Sequence, residues 1–249
     1  MMAQLAVWTV CVVALCGCSH ESPVTADSAL APRAGAYQSI AQLPDWSGVW
    51  VLYHGQEAGR DATGVGAMSL TPKYQTLQAT ARDQHAQANL ASCLPAGATA
   101  VLQHGILYEF LFTPGRVTLL FEDGEVRRIH TDGREHQPLD ELSHSFMGDS
   151  IGHWEGKTLV VDTIGFPYGE LWQNYGVRAT RNTHLDERIT LNDQGRIQID
   201  NVISDPGIFT APHTYSREYQ RTDLPLTEPV CAQNNRDTGT DIDLTPPAE

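Results

Sequence analysis

Short runs of alternating apolar and polar residues, separated by glycine-containing turns, follow one another along most of the chain. They lie at 108–113, 117–121, 126–130, 183–191, 197–203 and 213–221, and two further arms lie within 147–166. Turn sequences of the Pro-Gly, Asp-Gly and Asn-Asp-Gln-Gly types stand between several of them. About eight to ten such strands, without alternating helices, predict a mainly β fold, an antiparallel up-and-down β-barrel. A two-sheet β-sandwich is the alternative.

The central hairpin spans residues 147–166 and reads MGDSIGHWEGKTLVVDTIGF. A two-residue loop at Glu155-Gly156 would set Asp149 directly opposite Asp162 on one face. Opposed carboxylates repel unless a shared proton, an arginine, a metal or open water compensates. Apolar neighbours on its strand predict that Asp162 is buried and points into the barrel interior.

Loop lengths also predict the register of the neighbouring strands. Two-residue loops give one row of Phe112, Val117 and His130, a second row of Phe110, Leu119 and Arg128, and an opposite face with Glu109, Leu120 and Arg127. Alternation at 183–191 predicts one face of Leu185, Glu187, Ile189 and Leu191 and another of His184, Asp186, Arg188 and Thr190.

One helix is predicted outside these strands. Thr71 is a good N-cap and Pro72 suits the first helical position, so the helix should begin there and reach about residue 89. Its apolar face is thin, which predicts a helix on the surface of the sheet.

The N-terminal segment has the features of an export signal. The apolar run at 5–15 has signal-peptide length and is too short to span a bilayer. It ends in Leu15-Cys16-Gly17-Cys18, which resembles a bacterial lipobox. The resemblance implies a signal peptide at 1–17, a lipidated Cys18, and a periplasmic protein anchored to the outer membrane. An ordinary secretory signal is the alternative.

The remaining organisation follows from composition. Residues 18–44 read as the lipidated cysteine and a flexible tether, 45–231 as a single barrel domain and 232–249 as a disordered tail. Removal of the signal and lipidation of Cys18 leave Cys93 and Cys231, and an oxidising compartment favours a disulfide between them. Two separately buried thiols are the alternative.

Charge and motif content exclude several function classes. A net charge of -14 disfavours nucleic acid and anionic membrane surfaces as partners. No phosphate loop or dinucleotide fingerprint is present, so we expect no cofactor. His130, His136, His144 and His153 lie close in sequence, but their spacing matches no ligand motif, so we expect no metal.

Two resemblances bear on the fold. Gly48-Val49-Trp50 resembles the G-x-W opening of lipocalin-like barrels, in which the tryptophan closes one end of the barrel. The 147–166 motif, with 110–117, 127–134, Glu187-Arg188 and Asp205-Pro206, resembles a family of uncharacterised exported bacterial proteins. The second resemblance implies no mechanism.

Binding of a small apolar or amphipathic molecule in the barrel is the leading functional hypothesis. Its candidate residues are Tyr108, Phe110, Phe112, Arg128, Asp149, Trp154 and Trp172. The alternative is a cofactor-free lyase, isomerase or hydrolase that uses Asp162 with Arg128 or Glu187. A structural lipoprotein that binds a protein partner through its outer face is a third possibility. Whether the chain is an enzyme, its oligomeric state and its ligand stay open at this point.

Overall fold

The computed structural model describes residues 40–54, 66–84, 95, 97–99, 101–103, 105–143, 145–166, 170–172 and 177–227. For residues 80–84, 103, 170–172 and 178 it describes the backbone alone. Cys18, Cys93, Cys231, the predicted signal peptide and the predicted tail lie outside this part. No helix in the described part is long and apolar enough to cross a membrane.

Nine strands close into a barrel, mostly antiparallel, which confirms the predicted fold class. Their order around the barrel is β1-β11-β10-β9-β6-β5-β4-β3-β2, and β7 and β8 form a separate two-stranded sheet. The strands are β1 (Val49–Leu52), β2 (Tyr108–Thr113), β3 (Arg116–Phe121), β4 (Val126–His130), β5 (Asp149–Glu155), β6 (Thr158–Ile164), β7 (Glu170–Trp172), β8 (Val177–Arg178), β9 (His184–Leu191), β10 (Ile197–Ser204) and β11 (His213–Thr222).

The odd number of strands explains the one parallel pair in the barrel. Strand direction alternates around an antiparallel ring, so such a ring closes only with an even number of strands. Nine strands therefore require a parallel neighbour, and β4 and β5 supply it through the pairs Ile129↔Ser150 and His130↔Ile151. As a result, residues 131–148 must run from one end of the barrel back to the other.

The β3–β4 register differs from the prediction by one residue. Phe112 pairs with Val117 as predicted, but Val117 pairs with Ile129, and Leu119 pairs with Arg127. The loop has three residues, 122–124, because Phe121 and Glu125 are hydrogen-bonded and Gly124 takes a φ of 85°. A one-residue shift moves every side chain to the other face. Arg127 therefore points into the barrel and Arg128 points outward.

The predicted β5–β6 pairing is also wrong. Asp149 pairs with Ile164, and Ile151 pairs with Asp162, because the two-residue loop is Gly156-Lys157. Gly156 has a φ of 62°, which suits the first loop position of a hairpin turn. The shift of two residues preserves the faces, so Asp149 and Asp162 are diagonal neighbours.

Alternating burial marks the inner face of the barrel. The buried positions of β9 and β10 include Leu185, Glu187, Ile189, Ile197 and Ile199, as alternation predicted for β9. On β5 and β6 the alternating buried residues are Ser150, Leu159, Val161 and Thr163, and Ile164 at the end of β6 is buried as well. Asp162 belongs to the other set and its side chain is 39% exposed. The prediction that Asp162 points into the interior is therefore wrong.

The helix α1 (Pro72–Gln84) begins where predicted. The chain before it pairs with the β10–β11 connection through the bridge Leu70↔Phe209. Tyr74 is buried against a second apolar cluster, whereas Leu77 is exposed, so the helix lies at the surface. The second cluster contains Leu70, Tyr74, Ala98, Phe166, Val177, Ala179, Leu185, Ile203, Ile208 and Phe209.

Two glycines of the central hairpin allow a matched test of backbone geometry. Gly148 and Gly156 have φ values of 67° and 62°. A Cβ at Gly148 would lie 2.7 Å from the Ile164 carbonyl oxygen, whereas nothing lies within 4 Å of one at Gly156. We expect Gly156→Ala to cost about 1–2 kcal/mol of unfolding free energy for the left-handed backbone. Gly148→Ala should cost at least about 1 kcal/mol more for the contact. Urea denaturation measures both, and equal losses would contradict the close approach.

Candidate functional site

An aromatic cluster fills the barrel end at which β2 and β5 terminate. The ring of Trp46, just before β1, lies 4.9 Å from Phe110, 5.6 Å from Phe112 and 5.3 Å from Trp154, centroid to centroid. Phe112 and Trp154 are 5.9 Å apart, and Tyr108 continues the row 5.5 Å from Phe110. Trp46 is buried, whereas Phe112 and Trp154 are half-buried. We call these five side chains the aromatic cluster.

Two polar atoms of the aromatic cluster are buried without a hydrogen-bond partner among the described residues. They are the indole nitrogen of Trp46 and the hydroxyl of Tyr108. Burial, with the neighbouring Tyr219 phenol, raises the pKa of Tyr108 well above its ordinary value, so the hydroxyl keeps its proton. Both groups are therefore donors, and a buried donor without an acceptor costs about 1–3 kcal/mol.

A buried charge pair lies elsewhere on the inner face. Arg127 Nη1 donates to Glu187 Oε1 at 2.9 Å, and Nη2 donates to Glu187 Oε2. Nη2 also donates to Thr163 Oγ1 at 2.9 Å, and Nε donates to Ser150 Oγ at 3.3 Å. The side chains of Arg127 and Glu187 are fully buried. The pair is neutral overall and extensively hydrogen-bonded, so its geometry is that of a structural interaction.

A second polar group lies on the outer face of β5, β6 and β9. His136, from the β4–β5 connection, places Nδ1 2.7 Å from Asp149 Oδ2 and Nε2 3.3 Å from Asp162 Oδ2. His184 Nδ1 lies 3.5 Å from Asp162 Oδ1, and Asp186 pairs directly with Asp162 across β6 and β9. We call these five side chains the outer His–Asp cluster.

Opposed carboxylates do occur in this protein, but on a different pair of strands. They are Asp162 and Asp186, not Asp149 and Asp162. Burial, followed by the facing Asp162 carboxylate, raises the pKa of Asp186. The nearby His184 acts in the opposite direction and lowers the pKa of Asp186 in part.

Three of the four histidines that are close in sequence, His130, His136 and His153, lie in the described part of the chain. His153 is exposed and pairs with Glu155, whereas His144 lies outside the described residues. Burial and the nearby Arg134 lower the pKa of His130. In the described part of the chain, no three or more His, Cys, Asp or Glu side chains are placed to hold a metal ion.

Four of the seven predicted ligand-binding residues meet in one place. Tyr108, Phe110, Phe112 and Trp154 belong to the aromatic cluster. Arg128 and Asp149 lie on the outer face instead. Trp172 belongs to β7, outside the barrel sheet, and its side chain is not among those described.

The predicted catalytic residues are divided between the two faces of the barrel. Glu187 is buried inside with Arg127, whereas Asp162 and Arg128 lie outside. The barrel wall separates these groups, so Asp162 and Glu187 cannot reach one substrate atom together.

Arg127 and Trp46 were missed as site residues, and each had a signal in the sequence. Glu187 alternates with Leu185 and Ile189, so its burial required a cationic partner. A three-residue loop ending in Gly124 would have made Arg127 that partner. Trp46 stands four residues before Trp50, and its backbone carbonyl accepts the Trp50 indole N–H at 3.0 Å.

No protein-family model and no curated protein matches this chain. Its function has to be inferred from the geometry of its own side chains.

Proposed function

We propose that the barrel binds a small apolar or amphipathic molecule at the aromatic cluster. The molecule would lie against Trp46, Phe112 and Trp154, at the barrel end where two of these rings are half-exposed. Aromatic side chains offer large apolar contact areas, and pockets for small molecules combine such surfaces with few polar groups.

The unpartnered donors carry this proposal. Buried polar groups in proteins nearly always have a hydrogen-bond partner, so each exception calls for a physical explanation. The rings of Tyr108 and Trp46, which carry these donors, both flank Phe110. A ligand that brings an acceptor oxygen to this cluster would satisfy one or both donors. An amphipathic molecule with a carboxylate or carbonyl group has this chemistry.

The charge pair favours binding over catalysis in the interior. Arg127 donates four hydrogen bonds to Glu187, Ser150 and Thr163. The charges of Arg127 and Glu187 are therefore engaged with each other and are not available to a substrate. Acid–base catalysis by Asp162 with Glu187 would require both groups on one side of the wall. Binding needs neither group, and it uses residues that lie in mutual contact.

The cellular location belongs to the same proposal. We infer an envelope protein that is exported by its N-terminal signal and anchored through a lipid on Cys18. The apolar run at 5–15 and the following Leu15-Cys16-Gly17-Cys18 support this inference. An intact mass of the mature chain that begins at Cys18 and carries acyl groups is the expected result.

Removing the Tyr108 hydroxyl tests the binding proposal. The fluorescent amphipathic acid cis-parinaric acid should bind the wild-type protein saturably, with one molecule per chain. In Tyr108→Phe, we expect its affinity to fall about twofold to tenfold, the equivalent of one hydrogen bond. The free energy of unfolding should stay the same or rise, because the variant no longer buries an unpaired donor.

Leu111→Ala is the matched control for this variant. Leu111 lies on the outer face of β2, the strand that carries Tyr108, and its side chain is 43% exposed. Its replacement should leave probe affinity unchanged. Unsaturable binding to the wild-type protein would contradict the proposal, and so would equal affinity in Tyr108→Phe and the wild-type chain. Native mass spectrometry of the protein purified from its envelope would reveal a resident ligand directly.

A further inference from the structure

The connection between β4 and β5, residues 131–148, is held against the outer side of the barrel. His136 reaches Asp149 and Asp162, which lie on the outer faces of β5 and β6. Further along, the Ser145 N–H donates to the Gly165 carbonyl at 3.3 Å. A Cβ at Gly165 would collide with the Leu142 side chain, so the connection packs closely there too. Residue 144 lies outside the described part, and we call the rest of this connection the strap.

The position of His136 between two carboxylates depends on its protonation state. Its Nδ1 is hydrogen-bonded to Asp149 at 2.7 Å, and its Nε2 lies 3.3 Å from a carboxylate oxygen of Asp162. A neutral imidazole has a single N–H. One ring nitrogen would therefore present a lone pair to a carboxylate, which is repulsive. An imidazolium carries a positive charge and is attracted to both carboxylates, through a hydrogen bond to Asp149 and through charge alone to Asp162, since Nε2 has no hydrogen-bond partner among the described residues.

Other charged groups surround this contact on every neighbouring element. From β9, His184 and Asp186 face Asp162. On the strap itself, Arg134 is bound to Asp132 and also interacts electrostatically with Asp149. The Arg134 hydrogen bond holds the pKa of Asp132 at about 2, so Asp132 stays ionised across the ordinary pH range. The charge of Asp149 also acts on His130, at the end of β4, and tends to raise its pKa.

We propose that His136 is a proton-controlled clasp that holds the strap on the barrel wall. With a protonated imidazole, the strap is bound to both Asp149 and Asp162. Loss of that proton leaves one favourable contact and one repulsive contact, so the strap loosens as pH rises. Asp149 is also the first residue of β5, so the clasp joins the strap to the strand that it leads into.

Loosening of the strap would reach the core through Met147. This residue is partly buried and packs against the barrel core, which includes Ile129 and Leu159, and against the second apolar cluster. The carbonyl of Phe146, just before it, accepts the Ala98 N–H at 3.1 Å. A change at His136 therefore acts on a segment that covers the barrel and touches its packed interior. This inference does not depend on the proposed ligand.

Hydrogen–deuterium exchange of the full chain tests the clasp. Protection factors of strap amides should be compared at about pH 5.5 and about pH 8.5, on either side of the range in which imidazoles usually titrate. In the wild-type protein, strap protection should fall at least about threefold at the higher pH. In His136→Gln, protection should be low and equal at both pH values, because glutamine carries no titrating charge.

Two further variants separate His136 from its neighbours. His153 lies on the outer face of β5, and its side chain is 67% exposed. The variant His153→Gln should keep the wild-type pH response. Asp186→Asn removes the carboxylate that faces Asp162 and should keep it too. An equal pH response in His136→Gln and the wild-type protein would overturn the clasp, as would no response in the wild-type protein.

Nitrogen chemical shifts of the imidazole provide a readout that needs no variant. The ¹⁵N resonances of His136 in the wild-type protein should change from the imidazolium pattern to the neutral pattern over the pH range in which strap protection falls. A neutral ring throughout the range in which the strap is protected would overturn the proposal.

Discussion

Arg127→Met is expected to lower the free energy of unfolding by about 3–5 kcal/mol, because it leaves the Glu187 carboxylate buried without a counter-ion. Methionine has a similar length, so cavity formation contributes little to this loss. Ser150 and Thr163 would also lose a donor that they now accept from. Urea denaturation followed by circular dichroism measures the loss.

Arg128→Met is the matched control. Arg128 is the next residue along β4 and its side chain is exposed on the outer face, so the same substitution there should change stability by less than about 0.5 kcal/mol. The double variant Arg127→Met/Glu187→Met should regain much of the loss, because no buried charge remains unpaired. Similar losses in the two single variants would contradict the β3–β4 register.

Trp46→Ala is expected to destabilise the protein by a comparable amount, about 3–5 kcal/mol. The indole is 1% exposed and contacts Phe110, Phe112 and Trp154, so its removal leaves a large gap in the aromatic cluster. The half-buried Trp154 should become more exposed, and a red shift in tryptophan emission reports that change.

Trp46→Phe separates packing from hydrogen bonding at this position. Phenylalanine keeps an aromatic ring against Phe110 and Phe112, so the loss of stability should be well below that of the alanine variant. It also removes an indole N–H that has no partner among the described residues. Equal losses in both variants would show that the ring contacts contribute little.

The fold could be predicted because strand alternation and turn residues are local signals. Alternation assigned the two faces of β9, and Pro114-Gly115 gave the loop between β2 and β3. The register of β3 against β4 could not be read in this way. It depends on whether the loop contains two residues or three, and Asp123-Gly124 is compatible with both. The one-residue difference in loop length decides whether Arg127 or Arg128 points into the barrel.

The candidate sites were predictable only where they lie on regular strands. Tyr108, Phe110 and Phe112 share a face by alternation, so their grouping followed from the sequence. His136 reaches Asp149 and Asp162 because the strap crosses the outer face, and the strap exists because β4 and β5 are parallel. Nothing local in the sequence of residues 131–148 encodes that path.

The two shortest ladders of the barrel have a mechanical consequence. Only two residue pairs join β1 to β2, and only two join β4 to β5. The unit formed by β2, β3 and β4 is thus joined to the other six strands of the barrel by only two short backbone hydrogen-bond ladders. The Arg127–Glu187 pair connects β4 to β9, and Trp46 contacts both Phe112 of β2 and Trp154 of β5. These interior side chains therefore supply much of the interaction between the two units that backbone hydrogen bonds do not supply. If these side-chain contacts are removed, we expect the barrel to open at the β1–β2 and β4–β5 pairs and to separate into two sheets before individual strands come apart.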